Sequence, residues 1–179
     1  MDHAAELILV PAVLVNLWHG YLLAFTWPKK PPTISEHALI SSRRLLAHRL
    51  VHCLSSVALL IYAYINRSIF GPITILLVAG ATFDIIEVLT LHQDISKSPI
   101  DFSDRHQLTS WLMANSYMLF VILAGVHTHI SPTLTITFIG IYTGLFLISV
   151  RSKFKNFWAI QMTYFVVLAL NMIILSSHI

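Results

Sequence analysis

The apolar stretch Ile69–His92, IFGPITILLVAGATFDIIEVLTLH, decides the fold class of this chain. Asp84 and Glu87 are the only acidic residues in it, and it contains no Lys or Arg. A helix of roughly 20 apolar residues crosses the ~30 Å hydrocarbon core of a bilayer. We therefore predict that this stretch is a transmembrane helix that carries two acids into the membrane.

The composition of the whole chain indicates the same environment. Of 179 residues, 56% are hydrophobic and only 11% are charged, whereas soluble domains carry roughly 25% charged residues. Six segments are long and apolar enough to span. The prediction is a single all-α domain over residues 1–179, a bundle of six transmembrane helices. The predicted spans are 6–27, 46–66, 69–92, 108–128, 132–150 and 157–177.

The distribution of Lys and Arg predicts the orientation of this bundle. Of the 11 Lys and Arg residues, only Arg67 falls on the side that also receives both termini. Cytoplasmic loops of membrane proteins are enriched in Lys and Arg. We therefore expect a multi-pass protein of the cell membrane, inner or plasma, with both termini outside. The ten cytoplasmic cations are Lys29, Lys30, Arg43, Arg44, Arg49, Lys97, Arg105, Arg151, Lys153 and Lys155.

Several local patterns refine the helices. The second helix is expected to run unbroken from about Ile34 to Asn66, with its first third in the cytoplasmic interface. A kink is expected near Gly71-Pro72. Gly140 and Gly144 form a GxxxG pattern, which suits close helix packing inside the bundle or, alternatively, a homo-oligomer. The predicted contacts with lipid headgroups come from three arginines, Arg43, Arg44 and Arg49.

Asp84 and Glu87 are the most informative residues of the chain. They are three apart, so they share one helical face. A charged residue at the centre of a transmembrane helix costs roughly 2.5–3.5 kcal/mol on insertion scales, and such residues usually face the bundle interior. Polar residues at matching depth on other helices are the candidate partners, and they predict a polar cavity in the cytoplasmic half of the bundle. These partners are Asn16, His19, His48, His52 and Asn115.

Purely structural roles remain open for each of these residues. Asp84 could pair with Arg49 or a histidine only to hold the bundle together, and His48 and His52 could be interfacial and solvated. Asn16 and Asn115 could make interhelical hydrogen bonds. The histidines at helix ends or in loops are expected to be solvated. They are His3, His92, His106, His127, His129 and His178.

Several classes of function lack their sequence signatures. The chain has no HExxH, P-loop, GxSxG or CxxC motif, and Cys53 is its only cysteine, so no intrachain disulfide can form. It has no basic run of the kind that binds nucleic acid. The expected partners are the lipid bilayer and a small solute, ion or lipid ligand.

Three functions remain. The favoured one is a transporter or channel with a proton- or cation-linked site, in which Asp84 and Glu87 carry the charge and His19 and His52 relay protons. The second is an intramembrane metal-dependent enzyme, hydrolase-like and acting on a lipid, with Glu87 as general acid–base. The third is a non-catalytic subunit or scaffold. The absence of an enzyme motif favours transport, and whether the chain is an enzyme is left open.

The sequence predicts no cofactor as its leading expectation. Zinc is the first alternative, with His48, His52 and Asp84 as the candidate metal ligands and His19 as a further one. Haem b is the second alternative, ligated by His19 and His52 from two helices.

Overall fold

The computed structural model describes residue 15 and residues 34–92, 102–129, 132–151 and 157–177. These residues are helical apart from short connections, and none of them is in a strand. The helices are α1 (Ile34–Ala38), α2 (Ser42–Ile65), α3 (Arg67–Phe70), α4 (Thr74–Thr90), α5 (Arg105–His127), α6 (Pro132–Arg151) and α7 (Phe157–Ser176). The all-helical prediction is confirmed for this part of the chain.

Among the described residues, three stretches are long and apolar enough to cross a membrane. They are Ser42–Ile65, Arg67–Thr90 and Arg105–His127, and two shorter apolar helices cover Thr135–Arg151 and Ile160–Ser176. Each coincides with a predicted span to within a few residues. The first predicted span, 6–27, lies outside the described residues apart from Val15.

The expectation of an unbroken helix from Ile34 to Asn66 is wrong. The chain leaves the helix at Leu39 and re-enters it at Ser42. Ser41 has extended backbone angles, and its hydroxyl accepts a hydrogen bond from the backbone N–H of Arg44 at 3.3 Å. A serine that caps the first turn in this way starts a new helix. The short helix α1 is therefore separate from the long helix α2.

The expected irregularity near Gly71-Pro72 is present. Helix α3 ends at Phe70, and a 3-10 turn over Gly71–Ile73 leads into α4. Gly71 has a φ of 54°, the left-handed region that glycine adopts without strain. Pro72 lacks a backbone N–H, which is not needed at the start of a helix. Helices α2 and α4 pack antiparallel, since His52 of α2 lies beside Asp84 of α4 and the earlier Arg49 lies beside the later Val88.

The apolar core lies where α2, α4, α5 and α7 meet. Its largest buried side chains include Tyr62, Phe70, Leu77 and Phe120. The rings of Phe70 and Phe120 pack edge to face with centroids 5.1 Å apart, a favoured aromatic geometry. This cluster fixes the positions of α2, α4 and α5, and these three helices carry the polar residues described next.

Large apolar side chains also point outward from the bundle. Leu54 of α2 is 69% exposed and Ile75 of α4 is 70% exposed, whereas Asp84 of α4 is only 4% exposed. A soluble helix shows the opposite arrangement, with charged residues outside and apolar residues in the core. In these helices the acids are inside and much of the outer surface is apolar.

Candidate functional site

The inner face of α2 supplies imidazole and hydroxyl groups. His48, His52, Ser55 and Ser56 are all buried, because residues three and four apart share one face of a helix. The rings of His48 and His52 lie with centroids 4.3 Å apart. This polar face of α2 is therefore directed into the bundle, and the solvated alternative for His48 and His52 is wrong.

Asp84 of α4 is held at both carboxylate oxygens by α2. Its Oδ1 lies 2.8 Å from Nδ1 of His52, and its Oδ2 accepts a hydrogen bond of 2.7 Å from the hydroxyl of Ser56. Hydrogen bonds to a carboxylate are short and strong. Both contacts join α2 to α4, so Asp84 is fixed in position by its partners.

Glu87 lies one turn further along α4 and is 5% exposed. Its Oε1 accepts hydrogen bonds from the hydroxyls of Ser110, at 3.1 Å, and Ser35, at 3.4 Å. Nε2 of His106 lies 3.2 Å from the same oxygen. Its other oxygen, Oε2, is buried and has no hydrogen-bond partner among the described residues.

His106 was expected to be solvated, and the structure shows that it is 2% exposed. Asp104 caps α5 by accepting the backbone N–H groups of His106 and Gln107. The helix therefore starts at Arg105, earlier than the predicted residue 108. That early start puts His106 in the first turn beside α4. Its Nδ1 lies 3.1 Å from the backbone oxygen of Glu87, so Glu87 faces both ring nitrogens.

Ser35, Ser56 and Ser110 complete the cluster, and none of them was predicted from the sequence. Ser56 sits four residues after His52, and that spacing alone places it on the same face. The other serines come from α1 and α5, and no local pattern relates them to Glu87. Only the packing of three helices brings them together.

The three arginines of α2 differ in their exposure and in their contacts. Arg43 is exposed and Arg44 is half-buried. Nε and Nη2 of Arg49 donate to the backbone oxygens of Val88, at 3.0 Å, and Leu91, at 3.1 Å. No ion pair joins Arg49 to Asp84 among the described residues, so histidine and serine are the partners of this acid. Contact of the three arginines with lipid stays a prediction.

A cavity of about 440 Å³ adjoins the polar cluster. His48, His52 and Glu87 are among the polar residues that line it, and most of the lining surface is apolar. Asn115 also lines the cavity, and its amide donates to the backbone oxygen of Trp111 at 2.7 Å. A volume of this size suits a small organic ligand.

The remaining predicted residues lie elsewhere. Asn16 and His19 fall outside the described residues. A Cβ added at Gly140 or Gly144 would meet nothing within 4 Å, so no described helix packs closely against this pair. Association of two copies through these glycines stays a prediction.

The candidate metal ligands are partly brought together. His52, Asp84 and Glu87 each offer one ligand atom, and these atoms lie within 4.8 Å of one another. Glu87 thus replaces His48 in the predicted set of His48, His52 and Asp84.

Comparison with protein-family models, curated proteins and solved structures finds no match to this chain. Function must therefore be inferred from the geometry of this site.

Proposed function

We propose that this chain is a six-span protein of the cell membrane with both termini outside. Three features support the proposal: three helices of spanning length, an apolar outer surface around buried acids, and the one-sided distribution of Lys and Arg. An apolar exterior around a polar interior is favourable when the surrounding solvent is lipid.

Within that membrane domain, we propose a transporter or channel with a proton- or cation-linked site in the cytoplasmic half. The observation that supports this proposal is the position and hydrogen bonding of Glu87. It lines the cavity, and one of its two buried oxygens has no hydrogen-bond partner among the described residues. An ionisable residue placed at this depth beside a cavity is typical of ion and proton pathways.

The two acids then have different roles. Asp84 is held at both oxygens and keeps His52 in position. Glu87 contacts His106 at two points, because Nε2 of the ring lies 3.2 Å from Oε1 and Nδ1 lies 3.1 Å from the backbone oxygen. A cation or a cavity solute that reaches Oε2 of Glu87 competes with a proton for this carboxylate. Loading of the site is thereby linked to proton release.

The cavity constrains the solute. Its lining includes the Glu87 carboxylate and two imidazoles, and most of the lining surface is apolar. A carboxylate repels an anion, so a cation or a neutral molecule with a small polar group fits better. The walls suit an apolar body, as in a lipid-like molecule.

Proteoliposomes with a trapped pH dye test this proposal. The protein is reconstituted and proton movement is followed under gradients of K⁺, Na⁺ or Zn²⁺. Wild type is expected to move protons with at least one of these cations, and Glu87→Gln is expected to abolish the flux. Glu36→Gln is the matched control, since Glu36 lies on the short helix α1 and does not line the cavity. Wild-type flux equal to that of protein-free liposomes under all three gradients would refute transport of these cations.

An intramembrane metal-dependent enzyme is the second candidate. The observation that favours it is the close grouping of His52, Asp84 and Glu87 beside an apolar cavity. In that case Glu87 or a metal-bound water acts on a lipid held by the cavity walls. An enzyme requires a bound metal for turnover, whereas Glu87-dependent proton flux that persists in the presence of a chelator supports transport.

A further inference from the structure

The grouping of His52, Asp84 and Glu87 has the chemistry of a metal site. The three residues come from two helices that pack against each other, α2 and α4, and all three are buried. Their ligand atoms lie within 4.8 Å of one another. We propose that they bind one divalent transition-metal ion, with Zn²⁺ as the ion to be tested.

The buried negative charge of Asp84 and Glu87 favours a cation at this site. Two carboxylates are buried side by side, and within the described ranges their ion pairs are with His52 and His106 only. The nearby guanidinium of Arg49 donates to backbone oxygens of α4. Buried charges must be compensated by opposite charge or coordinated to a metal. A divalent ion balances both carboxylates and leaves a neutral imidazole free to act as a ligand.

The hydroxyl groups around Asp84 and Glu87 also favour a metal ion at this site. Ser56 donates to Oδ2 of Asp84, and Ser110 donates to Oε1 of Glu87. Such outer hydrogen bonds orient carboxylates that bind metal. The remaining oxygen, Oε2 of Glu87, is buried without a hydrogen-bond partner in the described part of the chain. Coordination to a metal would satisfy an oxygen that is otherwise expensive to bury.

The chemical types of the ligand atoms favour some metal ions over others. One imidazole nitrogen and two carboxylate oxygens suit Zn²⁺, Fe²⁺ or Mn²⁺, whereas Ca²⁺ and Mg²⁺ take oxygen ligands alone. Cys53 is not part of the group. His52 and Glu87 both line the cavity, and so does His48, whose ring is tilted by 54° against that of His52 with the centroids 4.3 Å apart. A fourth ligand can therefore come from His48 or from a molecule in the cavity.

Metal content of the purified chain tests the proposal. The protein is prepared in detergent with a tag that lacks histidine and without chelator, loaded with Zn²⁺, and dialysed before elemental analysis. We expect one zinc per chain. We expect Glu87→Gln and His52→Ala each to weaken Zn²⁺ affinity by ~100-fold or more, measured by competition with a chromogenic chelator, because loss of an outer partner alone costs roughly 10–100-fold.

His127→Ala is the matched control. It removes an exposed imidazole on the same helix as His106 but away from the acids, so zinc content is expected to be unchanged.

Visible absorption of the Co²⁺-loaded wild type is a second measurement that needs no variant, and it is expected to show nitrogen and oxygen coordination. A wild type that releases zinc on dialysis and gives no Co²⁺ spectrum would overturn the proposal. Zinc retained at full affinity in both cluster variants would also overturn it. Neither result depends on transport, because both are measured on purified protein.

Discussion

Arg49 of α2 caps the carboxyl end of α4 by donating hydrogen bonds to its backbone, including the oxygen of Val88. Its Nε donates to the backbone oxygen of Val88 at 3.0 Å, and its Nη2 donates to that of Leu91 at 3.1 Å. The last carbonyls of a helix have no partner within the helix and carry partial negative charge. One guanidinium satisfies two of them and ties α2 to the end of the helix that carries both acids.

We predict that Arg49→Met destabilises the folded chain by about 1–2 kcal/mol, because hydrogen bonds to a charged group are worth more than neutral ones. Unfolding in mixed micelles with increasing SDS measures this change. Arg43→Met is the matched control, since Arg43 is exposed, and it is expected to change stability by less than about 0.5 kcal/mol. Equal losses in the two variants would show that the contacts of Arg49 contribute nothing.

Gly80 lets α4 and α5 approach each other closely. A Cβ at this position would lie 2.5 Å from Cδ1 of Tyr117 and 2.6 Å from its Cε1. We predict that Gly80→Ala destabilises the bundle by about 1–3 kcal/mol, as overpacking of a close contact does. The same SDS titration measures it. Gly140→Ala serves as the control, because a Cβ there meets nothing within 4 Å. If Gly80→Ala proves as stable as Gly140→Ala, the close approach of the two helices is wrong.

Much of the helical layout could be predicted from the sequence. Long apolar runs determine where helices of this kind form, and the span limits at α6 and α7 differ from the observed ones by at most one residue. The break at Ser41 was missed because the pattern on both sides of it is helical. A single serine that caps a new helix gives a weak signal when residues compatible with a helix lie on both sides of it.

The site was predictable only in part. Asp84, Glu87 and His52 were identified because charged and imidazole groups are unusual inside an apolar helix. His106 was missed because the predicted helix began after it, which put it in a loop. Ser35 and Ser110 were missed for a different reason. A single serine forms no recognisable sequence pattern, and only tertiary packing determines which serines donate to a carboxylate.

The proposed orientation can be tested by cysteine labelling. In a Cys53→Ser background, Ser68→Cys is predicted to react with a membrane-impermeant maleimide in intact cells, because the proposed topology puts α3 on the outer side. Ser103→Cys, in the turn before α5, is predicted to react only after the membrane is opened. Both positions are exposed, so accessibility in the fold does not bias the comparison. Labelling of Ser103→Cys alone in intact cells would mean that the chain has the opposite orientation.

The cavity offers a test that leaves every charged group in place. Ala114 of α5 lines the cavity, and its backbone oxygen accepts a hydrogen bond from the hydroxyl of Tyr164 that does not involve its side chain. We predict that Ala114→Phe fills part of the space, blocks solute binding and leaves Zn²⁺ binding intact. A thermal-shift assay of the purified variant checks folding, and liposome flux checks function. Ala47→Phe is the control, since Ala47 is exposed on α2 and is expected to have little effect. Full flux in a folded Ala114→Phe variant would show that the solute does not pass through this cavity.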